Sequence, residues 1–141
     1  MKKTWQDDAK SIIKKHEGLK LKLYKCPANK WTIGVGHNIE DNGISSKVAE
    51  MIYEEDFLNC VKTAEEIFGK TFFNSKIKDN AKVVIVDMIF NLGSGKFLTF
   101  RKFIKAIRNL DYASAGKEII NSKAYTQNMK RYKELAKLIQ E

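Results

Sequence analysis

Leu19-Lys20-Leu21-Lys22-Leu23 alternates apolar and basic residues with period two, the spacing of a strand. A second β-prone run, Trp31 to Val35, follows after Pro27-Ala28-Asn29-Lys30, where Pro27 and Asn29 supply turn chemistry. Together they predict one hairpin. A lone hairpin is marginal in water, so it must be attached to something larger, and the remaining apolar patterning is helical.

Asp7 and Asp8 stand where an N-cap or first-turn acid belongs, Lys14 and Lys15 near a C-terminus and Gly18 just beyond it; this predicts a helix over about 6–16. Glu40-Asp41-Asn42-Gly43 reads as a polar turn. Ser45 or Ser46 can cap a long amphipathic helix from about 47 to 68 carrying Val48, Ile52, Leu58, Val61 and Ile67. Asp79 or Asn80 then caps a segment, Ala81 to Phe90, that is apolar on nearly every side and belongs in the middle of a helical lobe, with Gly93 as its stop. Further helices are expected near 97–109, 112–121 and 129–140. The expected architecture is α+β, mostly α: a β-hairpin lobe over 17–46, a helical lobe from 1–16 and 69–141, a connecting helix over 47–68, and a cleft between the lobes.

One domain is expected at 141 residues, and no run of about 18 apolar residues suggests stable membrane insertion. The net charge of +9 favours polyanionic partners. The charge is spread along the chain without a groove-reading motif, so nucleic acid is not the expected partner. Cys26 and Cys60 are too few for a disulfide framework. Met1 to Asp8 turns acidic without an apolar h-region, so the chain is expected to stay in the cytoplasm until released.

Glu17 follows the end of the first predicted helix, where the dipole and partial burial both disfavour its charge. Such an acid can protonate the leaving oxygen of a glycosidic bond, while a second group attacks the anomeric carbon or holds the water that does. With a five-residue connection from Pro27 to Trp31, Cys26 and Thr32 would lie opposite each other, Cβ atoms about 4.5–5.5 Å apart, where one water could touch both. The same residues also fit a plain structural account: a solvated helix-end acid, a small buried thiol and a strand threonine. No zinc spacing involves His16 or His37, and no phosphate loop surrounds Gly34 and Gly36. Neither a metal nor a cofactor is expected. Asp87, inside the apolar helix, is expected to satisfy a polar partner.

The run His16-Glu17-Gly18-Leu19-Lys20-Leu21-Lys22-Leu23-Tyr24-Lys25-Cys26, followed by Trp31-Thr32-Ile33-Gly34-Val35-Gly36-His37, resembles the signature of the bacteriophage lysozymes, the endolysins of glycoside hydrolase family 24. In that family a Glu, an Asp or sometimes Cys after eight intervening residues, and a Thr after five more form the catalytic triad; both spacings hold between Glu17, Cys26 and Thr32. Phe90-Asn91-Leu92-Gly93 resembles the segment at the far wall of the saccharide cleft, which implies substrate contacts for Phe90, Asn91 and Gly93, with Asn38 added from the hairpin lobe. Ser122 to Gln127 and then Arg131 are similar to the terminal motif whose arginine faces the catalytic Glu. The resemblance thus makes Arg131 the expected partner of Glu17, and such a partner opposes the burial and dipole effects.

Two departures matter. Cys26 stands at the usual aspartate, and a thiol is mostly neutral at pH 7 unless cations such as Lys20, Lys22 and Lys25 lower its pKa; water positioning is preferred over nucleophilic attack. The short link from His37 to Ser46 leaves little room for an extra strand and trims the cleft wall. His37 is expected to pair with an acid of the long helix, Asp56 first among Glu54, Glu55 and Asp56. The implied activity is hydrolysis of the β-1,4 bond between N-acetylmuramic acid and N-acetylglucosamine in peptidoglycan, by a monomer that depends on a holin for release to the wall. The alternative is a catalytically impaired peptidoglycan-binding protein on the same fold.

Overall fold

The computed structural model describes residues 2–141 and divides the chain into two compact units, Met1–Met51 and Ile52–Glu141. Residues 2–16 fall in the first unit, and the division lies inside the long helix.

The first unit opens with helix α1 (Trp5–Glu17). Its N-cap is Thr4, one turn before the acids singled out from the sequence. Thr4 Oγ1 accepts from the Asp7 amide at 3.3 Å and Asp7 Oδ2 accepts from the Thr4 amide at 3.0 Å, a reciprocal capping box that satisfies two orphan donors. Gly18 ends the helix, its amide donating to Lys14 O at 2.8 Å. The chain then enters β1 (Lys20–Lys25), β2 (Trp31–Gly34) and β3 (His37–Asn38), an antiparallel sheet in the order β1-β2-β3.

Two expectations are corrected here. The hairpin register pairs Lys25 with Trp31 and Tyr24 with Thr32, and is interrupted by an irregularity between Lys20 and Tyr24. Cys26 therefore stands one step outside the ladder, diagonal to Thr32 and not opposite it, but on the same face because side chains alternate. The link to Ser46 also holds more structure than expected: the short strand β3 and a single turn of helix, α2 (Ile39–Asn42), where a plain turn was predicted.

The long helix α3 (Ser46–Phe68) follows, capped by Ser45, whose Oγ accepts from the Val48 amide at 3.2 Å. The second unit continues with α4 (Lys70–Ser75), α5 (Asp79–Leu92), α6 (Ser94–Phe97), α7 (Arg101–Arg108), α8 (Tyr112–Ile120), α9 (Lys123–Gln127) and α10 (Met129–Gln140). Neither Asp79 nor Asn80 caps α5: Lys78 is the N-cap and makes no side-chain cap bond. The apolar α5 buries Ala81, Val84, Ile85, Val86, Met88 and Ile89, and α8 packs on α7 and α10.

The single helix expected over 97–109 is broken into α6 and α7. Phe97 and Phe103 are both buried, with ring centroids 6.0 Å apart and planes at 88°. On one unbroken helix, residues six apart point about 120° away from each other, so the rings meet only because the chain turns between them. This edge-to-face geometry suits the aromatic quadrupoles.

Candidate functional site

Glu17 is the last residue of α1 and, where partial burial was expected, it is exposed; its carboxyl group lies against Gly36. A methyl group at Gly36 would lie 2.7 Å from Glu17 Oε2 and 2.8 Å from Cδ: the carboxyl group rests directly on the glycine backbone. Gly36 belongs to the two-residue connection between β2 and β3 and has φ +63°, a left-handed conformation that glycine adopts without Cβ strain. The positive φ favours glycine here, and a side chain in its place would displace the Glu17 carboxyl group. No local sequence signal marks this role, because the contact joins residues 19 positions apart.

Cys26 opens the hairpin loop. Its amide donates to Lys30 O at 3.0 Å and its carbonyl accepts from the Asn29 amide at 2.8 Å; Asn29 takes φ +62°, which asparagine tolerates better than most residues. The thiol is half-buried and its pKa is held below the ordinary value. The backbone amide of Lys30 is the largest cause, opposed by burial and aided by the Ala28 amide, the Thr32 hydroxyl and the residue's own amide. Loop amides, not the lysine charges anticipated from the sequence, favour the thiolate.

Thr32 on β2 is buried, 2% exposed. A buried hydroxyl is costly without a partner, and its Oγ1 donates to Lys30 O at 2.8 Å. The Thr32 hydroxyl is also among the groups that lower the Cys26 pKa. A hydroxyl has one proton and two lone pairs. While the thiol is neutral, its S–H can donate to Oγ1 as the hydroxyl donates to Lys30 O; once a thiolate forms, the hydroxyl proton can turn to sulfur. Cys26 and Thr32 are thus coupled, and Lys30 touches both through its backbone.

The acids Glu40 and Asp41 of α2 close over this loop. Glu40 Oε1 accepts from the Trp31 amide at 3.2 Å, and its carboxylate lies 3.7 Å from Lys25 Nζ and 3.5 Å from Lys30 Nζ. Asp41 Oδ1 accepts from Lys30 Nζ at 3.2 Å. The Glu40 pKa is lowered chiefly by the Trp31 amide, and that of Asp41 by the Asn38 side-chain amide and then Lys30. The sequence carried these residues only as a polar turn.

The remaining predicted residues have structural partners. Asn38 is the N-cap of α2: its Oδ1 accepts from the Asp41 amide at 3.0 Å and its Nδ2 donates to Asp41 Oδ2 at 2.9 Å. Within the first unit, His37 Nε2 donates to Gly43 O at 2.6 Å. In the second unit, Arg131 Nε donates to Asp87 Oδ1 at 2.8 Å. Asp87 is thus an ion-pair partner of Arg131 within the second unit, and it meets the expectation that Asp87 satisfies a polar group. Its carboxylate is the largest cause raising the Arg131 pKa.

Phe90 meets Tyr53 edge-on, centroids 5.9 Å apart, beside a cavity of about 540 Å³ that Asp87 and Arg131 also line. Asn91 Oδ1 accepts from the buried Tyr132 hydroxyl at 2.7 Å. Gly93, φ +81°, caps α5 by donating to Ile89 O at 2.8 Å. Asp56, Phe90 and Gly93 line a smaller hollow of about 360 Å³ together with Cys60.

The family model described as phage lysozyme matches residues 14–139. The chain belongs to the phage lysozyme family. The match takes in Glu17, Cys26, Thr32, the Phe90–Gly93 segment and Arg131. Among relatives, an endolysin of Acyrthosiphon pisum secondary endosymbiont phage 1 is 32% identical, covering 85% of this chain and 80% of its own length. Probable T4-type lysozyme 2 of Dictyostelium discoideum is 27% identical over 86% and 87%. A SAR-endolysin of Haemophilus phage HP1 is 33% identical over 65% of this chain and 49% of its own. Membership gives this protein a lysozyme fold and glycosidase chemistry, and among the described residues no helix is long and apolar enough to cross a membrane.

Proposed function

We propose that this phage lysozyme is an endolysin with muramidase activity, which hydrolyses the β-1,4 bond between N-acetylmuramic acid and N-acetylglucosamine and so lyses the host cell. The observation that carries this is the Cys26–Thr32 pair, coupled through one buried hydroxyl in the same compact unit that seats Glu17 on Gly36. Glu17 is the general acid that protonates the leaving sugar oxygen; Cys26 and Thr32 hold the water that attacks the anomeric carbon. As that water loses its proton, the sulfur can accept it while the Thr32 hydroxyl reorients. Phe90, Asn91 and Gly93 are proposed to contact the glycan. The protein is proposed to work as a monomer without a cofactor, to gather inside the host until a holin opens the membrane, and then to act on the wall. Its charge of +9 would draw it toward anionic surfaces in a salt-screened way.

The test is hydrolysis of purified peptidoglycan with reducing-end, anhydro-sugar and anomer analysis of the products. Glu17→Gln should abolish turnover while circular dichroism stays unchanged; full activity in that variant would remove Glu17 from the mechanism. Cys26→Asp should retain or raise activity, whereas a glycosyl adduct on wild-type Cys26 seen by mass spectrometry would replace water activation with a nucleophilic thiol. Wall binding without reducing ends would mark the chain as an inactive binder on the same fold.

A further inference from the structure

Lys30 is the shared support of the two groups proposed to manage water. Its carbonyl accepts both the Thr32 hydroxyl, at 2.8 Å, and the Cys26 amide, at 3.0 Å, and its own amide is the largest cause lowering the Cys26 pKa. The loop from Cys26 to Lys30 has one internal β-turn bond, Asn29 amide to Cys26 O, and contains Ala28 and the left-handed Asn29. A loop of this kind is not rigid by itself. What holds it is α2. Glu40 takes the Trp31 amide, the first backbone donor after the loop, and its carboxylate lies between Lys25 before the loop and Lys30 at its end. Asp41 takes the Lys30 ammonium a second time and is itself fixed by the Asn38 side chain.

We propose that Glu40, seconded by Asp41, is a positioning residue of the hydrolytic site: it clamps both ends of the Cys26–Lys30 loop so that sulfur and hydroxyl keep one geometry. The proposal rests on the assignment of Cys26 and Thr32 to water activation. Each ion pair is exposed and worth little alone; the acceptor for the Trp31 amide and the simultaneous grip on two lysines make the clamp a network. Positional precision is where such a network acts on rate, because displacement of a reacting group by about 1 Å can cost on the order of 10²-fold. The titratable side chains at this loop are Lys25 and Lys30 of the hairpin, Glu40 and Asp41 of α2, and Cys26 itself.

Glu40→Ala and Glu40→Gln, each in a Cys60→Ser background, test the clamp by two measurements: kcat and KM on a soluble glycan oligomer, and the pH midpoint of Cys26 alkylation. The glutamine keeps an oxygen for the Trp31 amide but carries no charge. Glu40→Ala should lower kcat at least about tenfold with KM little changed, and should move the thiol midpoint upward as the loop amides drift away. Glu40→Gln should lie between Glu40→Ala and the Cys60→Ser parent in both. If Glu40 acted only as a charge near the sulfur, both variants would move the midpoint downward by the same amount, which overturns the clamp. An unchanged midpoint and kcat in Glu40→Ala overturns it as well. Cys26→Ala separates the two levels: if it is fully active while Glu40→Ala still shifts the midpoint, the clamp geometry stands and the assignment of Cys26 to the reaction fails.

Discussion

Replacing Gly36 by alanine should disable the enzyme without unfolding it, and Gly34 provides the control. Both glycines have positive φ, +63° and +71°, so an alanine at either site adopts a left-handed conformation costing about 1–2 kcal/mol. Loss of unfolded-chain freedom returns about 0.4–1 kcal/mol, leaving a net cost on the order of 1 kcal/mol and a melting point lowered by roughly 3–5 °C. The surroundings differ. Nothing lies within 4 Å of a methyl at position 34, whereas at position 36 it meets Glu17 Oε2 at 2.7 Å and Cγ at 3.0 Å. To regain ordinary contact at 3.4 Å, the carboxyl group must retreat by about 0.7 Å, a displacement that can cost on the order of 10–100-fold in rate for a proton-transferring group. The assay is initial-rate hydrolysis of a soluble glycan, well below both melting points. Gly36→Ala should lose kcat by about that factor while Gly34→Ala stays within roughly threefold of wild type. Equal activities in the two variants would refute the idea that the Glu17–Gly36 contact places the acid.

Other outcomes follow from the same geometry. Iodoacetamide should modify Cys26 well before Cys60 as pH rises from 6 to 9, because loop amides lower the first thiol's pKa whereas burial and Asp56 raise the second; peptide mass spectrometry reads the order, and Cys60 reacting first would contradict it. Phe97→Ala should cost about 3–5 kcal/mol, since the ring is wholly buried between Phe68 and Phe103, measurable by urea unfolding. Burial raises the Tyr132 pKa, so the folded state holds the phenol neutral where the unfolded chain ionises it; this contribution is whole below about pH 10 and is lost as pH climbs further. In thermal melts Tyr132→Phe should flatten that alkaline decline. In the acid range Asp7, Glu40, Asp41 and Asp111 all have lowered pKa values, so stability should fall as pH drops below about 4, and melts that stay flat from pH 5 to 2.5 would contradict these bonds.

Periodicity and capping chemistry are local, and they were legible. The alternation at Leu19–Leu23, the stop at Gly93 and the final helix from Met129 to Gln140 all appear in the structure near their expected places, because each depends on residues a turn or a strand apart. The spacing of Glu17, Cys26 and Thr32 was likewise present in the chain. Tertiary structure decided the rest. A two-residue difference in hairpin register, Tyr24 and not Cys26 facing Thr32, turned Cys26 and Thr32 from opposite partners into diagonal ones on the same face. Packing of Phe97 against Phe103 broke one helix into two. His37 and Arg131 carry charge-bearing groups whose partners, Gly43 O and Asp87, were chosen by which loop or helix face came near. Gly36 and Glu40 show the same limit from the other side. A glycine seating a carboxylate 19 positions earlier, and an acid gripping a loop through an amide nine positions before it, depend on chain reversals that bring distant residues together. A one-dimensional pattern records what each residue can do; only the folded backbone sets the distance at which it does it.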